Sequence, residues 1–106
     1  MAKTHDKLVR DLIPEIIQKS GNKAIIRTLN DQEYSEMLEK KLLEEANEYI
    51  TDKTVEELAD ILEVVYALAS LKGATKEEVE ALRVKKADAR GGFEKKIFLE
   101  RVEEDE

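Results

Sequence analysis

The stretch EEANEYITDKTVEELAD, residues 44–60, decides how this chain is read. It carries two acidic clusters, Glu44-Glu45-Ala46-Asn47-Glu48 and Glu57-Leu58-Ala59-Asp60, with eight residues between them. An α-helix advances about 100° per residue, so with Glu45 as reference Tyr34, Leu38, Leu42 and Tyr49 all fall within about 60° of it. Glu45 is therefore centred on the apolar stripe of its helix, and Glu48 lies one turn on at the edge of that stripe. On the following helix Glu57 shares a face with Ile61, Val64 and Leu68, and Asp60 flanks it. A carboxylate in an apolar seam costs free energy unless it is paired or bound to metal. Four that converge from two consecutive helices point to a divalent cation.

Working outward, Asn30 or Asp31 caps a long helix expected to run to about Ile50. Thr54 and Glu57 have capping-box spacing and open a third helix that closes at Gly73. Thr75 and Glu78 repeat the signal for a fourth, ending near Arg90 before Gly91 and Gly92. Upstream, residues 7–19 read as helical but interrupted by Pro14, which predicts a short first turn and a second start at the proline, ending at Gly21. Residues 24–29 (AIIRTL) are β-prone, and the tail 93–102 is rich in β-branched and aromatic residues. A short strand pair between residues 24–29 and 95–102 is the expectation there. The fold class is all-α: a single-domain bundle of four to five helices over residues 1–106, with that small β addition.

Composition excludes several chemistries. The chain has no cysteine, so disulfides, thiolate zinc sites and thiol catalysis are out. Its one histidine, His5, leaves no Glu-x-x-His pair for a di-iron bundle and no His-based triad. A net charge of −7 argues against a nucleic-acid groove binder, although bound metal reverses the local field for a phosphorylated ligand. No stretch reaches the roughly 20 apolar residues of a bilayer span, and the N-terminus is not a signal peptide. The expected compartment is the cytoplasm, with no membrane and no nucleic-acid polymer as partner.

An ordinary solvated helix face also produces Glu-Glu-x-x-Glu. Glu36 with Lys40 has the favourable ion-pair order, and Lys40–Glu44 and Lys41–Glu45 the less favourable reverse. Glu57 has a structural use of its own, as third-position partner of Thr54. Asp60 has none: it lies inside a helix, where Asp is a poor former, against a run of Ile, Leu and Val. Carboxylates three apart on each of two antiparallel helices suit Mg²⁺, which takes hard oxygen ligands and completes its shell with water or phosphate oxygens. Mn²⁺ is the natural substitute.

The same residues resemble a known group, the all-α nucleoside triphosphate pyrophosphohydrolases of the MazG and phosphoribosyl-ATP pyrophosphohydrolase type. Their signature, Glu-Glu-x-x-Glu then Glu-x-x-Asp, stands here as Glu44, Glu45, Glu48, Glu57 and Asp60, with a shorter interval than in many members. Lys7-Leu8-Val9-Arg10-Asp11 with Ile13-Pro14, Lys41-Leu42-Leu43-Glu44-Glu45, and Arg90-Gly91-Gly92-Phe93 resemble a compact house-cleaning subgroup. The resemblance implies Glu45, Glu48, Glu57 and Asp60 as metal ligands. Glu44 then lies outside the ligand set or acts as the base that orients water. The implied reaction releases pyrophosphate from a nucleoside triphosphate and leaves the monophosphate. The resemblance also implies a homodimer or homotetramer, because members build their sites between packed helices of subunits.

Cations are expected to complete such a site: Lys41 one turn before Glu45, Lys7 and Arg10 on the first helix, and Lys86 and Arg90 on the fourth. For each of these except Lys41, an ordinary surface cation is the competing reading. Tyr34, Tyr49, Tyr66, Phe93 and Phe98 are candidates for stacking a base, with core packing the better-supported role. No Walker-type loop is present. The competing functions are phosphoribosyl-ATP pyrophosphohydrolysis and a non-catalytic helical interaction module.

Overall fold

In the computed structural model, which describes residues 5–104, the chain is all-α, with four helices and no strand among the described residues. α1 spans Ile13–Lys19, α2 Asp31–Asp52, α3 Val55–Leu71 and α4 Lys76–Arg90. Two of the N-termini carry complete capping boxes. The Asn30 side chain accepts from the Glu33 N–H at 2.9 Å while the Glu33 carboxylate accepts the Asn30 N–H at 3.4 Å. Thr75 and Glu78 repeat this at 3.1 and 3.4 Å. Each such cap satisfies backbone donors that the first helical turn leaves without partners. Gly73 and Gly91, both at φ +82°, take the left-handed backbone that follows the ends of α3 and α4.

The joint between α2 and α3 organises the rest. Lys53 closes α2 in the left-handed conformation (φ 60°) and donates its N–H to the Tyr49 carbonyl at 2.7 Å. Thr54, extended, already caps α3. A connection of two residues forces α3 back antiparallel along α2, and this hairpin is the principal helix–helix contact, with α4 packing more lightly on α3. Its seam holds the most buried residues among those described: Leu38 at 3% exposure, Val64 at 8%, and a charged group, Glu45, at 7%. No helix among the described residues is long and apolar enough to cross a membrane.

Three local expectations do not hold. Residues 7–10 form no helical turn, and α1 starts at Ile13, one residue before the proline. Pro14 lacks the N–H that would bond the Arg10 carbonyl, so a helix cannot run through it. What survives is a single bond from the Ile13 N–H to that carbonyl at 3.1 Å. Neither residues 24–29 nor residues 95–102 form a strand. Both are non-helical and largely exposed, with Ile25 at 82% and Phe98 at 86%, and β propensity without a ladder partner stabilises nothing. Phe93 and Phe98 accordingly pack into no core within the chain.

Leu38→Ala is expected to cost about 2–5 kcal/mol in urea denaturation, as for other buried leucines. Glu39→Ala, exposed beside it, should stay within about 0.5 kcal/mol of wild type. Equal effects at the two positions would contradict the hairpin seam as the core.

Candidate metal centre

The two-residue joint brings the last turns of α2 and the first turns of α3 together, and with them the carboxylates. One oxygen from each of Glu45, Glu57 and Asp60 lies within 4.8 Å of the other two. Glu45 is buried and the other two are half-buried. A capping box would have turned the Glu57 carboxylate back to the Thr54 N–H. Only half of that box forms: the Glu57 N–H donates to Thr54 Oγ1 at 3.4 Å, and the Glu57 side chain does not reciprocate. Its carboxylate joins the acidic group instead. Glu45 Oε2 and Glu57 Oε2 are both buried with no hydrogen-bond partner. Two such oxygens carry a desolvation cost that a cation bound between these residues would offset.

The other acids arrange around this group. Glu48 is exposed and lies outside the three-oxygen cluster, yet its carboxyl bears on both Glu45 and Glu57. Glu44 points toward solvent and sits 3.6 Å from the Lys41 ammonium. Asp52, which sequence reasoning missed, lies near enough to Glu57 to act on its charge. It falls seven residues after Glu45 on the same helical face, the one signal that could have marked it. Asp52 also ends α2, where the helix dipole disfavours a negative charge.

Electrostatics follow from this crowding. Burial pushes the Glu45 carboxyl above the ordinary value of 4.5. The charges of Glu48 and Asp60 act in the same sense, and Lys41 only partly opposes them. Burial also raises Glu57, reinforced by Glu48, Asp52 and Asp60. The folded chain therefore binds more protons here than the unfolded chain just above pH 4.5. Stability is lost as pH rises through the elevated folded values.

Two cations reach the cluster. Arg10 places its guanidinium 2.8 Å from Asp60 Oδ1, and Lys41 lies 3.5 Å from Glu45 Oε1. Arg10 does so from the non-helical segment ahead of α1, not from a helix. No ion pair or hydrogen bond joins Lys7, Lys86 or Arg90 to the carboxylates among the described residues. Pro14 keeps Lys7 off any helix shared with Arg10, and the exposed Lys86 and Arg90 remain on the solvent side of α4.

The donor set fits a hard divalent cation. All ligands are carboxylate oxygens, with no nitrogen or sulfur, as Mg²⁺ or Mn²⁺ prefers.

No family model matches the chain, and no solved structure matches it. An uncharacterized protein of Mycolicibacterium smegmatis is 55% identical to it over 42 residues, which cover 40% of this chain and 43% of that protein. The chain thus spans less than half the length of the curated relative it matches.

Because burial and like charges act on Glu45 together, Glu45→Gln should gain stability relative to wild type as pH rises from about 4.5 to neutral in metal-free buffer. Thermal melts of both proteins across that range check this. A pH-independent difference would contradict the elevated carboxyl.

Proposed function

We propose that this chain is a divalent-metal-dependent nucleotide pyrophosphohydrolase, cleaving a nucleoside triphosphate to the monophosphate and pyrophosphate. The observation that carries the reading is the convergence of Glu45, Glu57 and Asp60 with two buried oxygens that lack any donor. The sequence signature, which includes these same residues, and the wider resemblance also support it. Glu45, Glu57 and Asp60 would hold the cation, with Glu48 closing in as a fourth ligand from the edge. The ion would supply charge neutralisation for phosphate oxygens and acidify a nearby water.

The chain's own residues supply the remainder. Glu44, whose carboxylate shares the Lys41 ammonium with Glu45, would accept a proton from an attacking water. Lys41 spans Glu44 and Glu45 and balances part of their charge. Arg10 steadies Asp60, and its planar fork could also hold phosphate oxygens of a substrate. Little covalent chemistry is asked of the protein, since phosphoryl chemistry proceeds by positioning and charge stabilisation.

Incubation with Mg²⁺ and a panel of nucleoside triphosphates tests this, with pyrophosphate measured against orthophosphate. Pyrophosphate release that falls at least about 100-fold in Glu45→Gln and Asp60→Asn is the expected result. Mg²⁺ should also raise the melting temperature of wild type and leave Asp60→Asn unmoved. Melting temperatures indifferent to Mg²⁺, with no pyrophosphate released, would favour a helical interaction module.

A further inference from the structure

Arg10 ties a distant part of the chain to the acidic cluster. It lies in the non-helical segment ahead of α1, yet its guanidinium donates to Asp60 Oδ1 at 2.8 Å. Among the hydrogen bonds and ion pairs of the described residues, this is the one that joins residues 5–26 to α3. The next link along the chain, Arg27 with Glu33 at 3.2 Å, reaches only the start of α2. α1 adds little, since it makes no close backbone approach to another helix and leaves Ile16 58% exposed. The polar hold on the N-terminal segment thus runs through one carboxylate. That carboxylate is also one of the three whose oxygens converge.

A guanidinium and a dication on the same carboxylate repel each other. At roughly 5 Å, a hydrogen bond plus a metal–oxygen bond, the repulsion weakens dication binding roughly five- to fifteen-fold, depending on salt. The contrary effect, in which Arg10 holds Asp60 ready for the ion, is limited by solvent. The two side chains are 58% and 41% exposed, and such pairs contribute less than about fivefold. Opposition therefore outweighs support. By linkage the effect is mutual: whatever Arg10 takes from cation affinity, the cation takes from the Arg10 contact. Lys41 is no equivalent, because it shares α2 with Glu44 and Glu45 and its release moves no other segment.

We propose that Arg10 is the chain's own counter-ion for Asp60 in the metal-free state, and that cation binding releases residues 5–12 from α3. The N-terminal segment then both opposes occupancy of the site and responds to it. This rests on the cation site proposed above and adds a coupling between that site and a segment outside the hairpin.

Two readouts test the coupling, neither of them catalytic. Mn²⁺ binding is measured from the paramagnetic resonance of the free ion in wild type, Arg10→Ala and Arg10→Lys, each first shown to be folded by circular dichroism. The chain has no native cysteine, so a fluorophore on Val9→Cys reports the mobility of the segment by anisotropy as Mg²⁺ is added, with Arg10 intact. Arg10→Ala is expected to bind Mn²⁺ at least about fivefold more tightly than wild type, and Arg10→Lys, which keeps the charge, within about twofold of it. Mg²⁺ is expected to lower the anisotropy of the label, and to leave it unchanged when Asp60→Asn is added. Wild type that binds Mn²⁺ while Arg10→Ala binds it no more tightly would overturn the inference and leave the cation site standing. So would an anisotropy unmoved at saturating Mg²⁺. Mn²⁺ bound by none of the three proteins would overturn the cation site and the coupling together.

Discussion

Carboxylate repulsion inside a short helical hairpin is the constraint on which this structure turns. Two residues, Lys53 and Thr54, separate α2 from α3, and so tight a joint leaves Glu45 no route away from Glu57 and Asp60. Like charges at that spacing in a half-dry seam oppose folding. The chain nonetheless commits its most buried charge, Glu45, to the middle of its principal helix–helix contact. A protein selected for stability alone gains by replacing such a group with an apolar side chain of similar volume. Its place at the centre of the hairpin is what the proposed cation site explains.

The available cations do not neutralise the cluster. Lys41 faces two carboxylates at 3.5 and 3.6 Å and remains partly exposed. Arg10 reaches only one oxygen of Asp60, from a segment without regular structure and with its side chain 58% exposed. Exposed pairs of this kind contribute about 0–1 kcal/mol. Glu45 Oε2 and Glu57 Oε2 stay without donors, and Asp52 adds negative charge near Glu57. A divalent cation answers all of these at once, as no single lysine or arginine in the chain does.

Much of this was legible in the residues, for identifiable reasons. Helical period alone put Glu45 among Tyr34, Leu38, Leu42 and Tyr49, and burial followed, because side-chain direction in a helix is set by geometry and not by chemistry. The Asn30 and Thr75 caps were equally readable, each being a local exchange between residues three apart. Glu57 was harder: its spacing fits a cap and a ligand equally well, and only the hairpin decides that its carboxylate turns away from Thr54. Arg10 could not be placed, since its position depends on the break that Pro14 imposes and on a contact with Asp60 fifty residues away. Residues 24–29 and 95–102 have strand composition, but strands are made by partners, and a single copy of the chain provides none.

Crystals grown with Mn²⁺ and measured for anomalous scattering test the central claim most directly. One strong anomalous peak among the Glu45, Glu57 and Asp60 oxygens, with Glu48 at its edge, is the predicted result. A well-ordered map with these carboxylates in place and no peak among them, at Mn²⁺ concentrations in the millimolar range, would contradict the account.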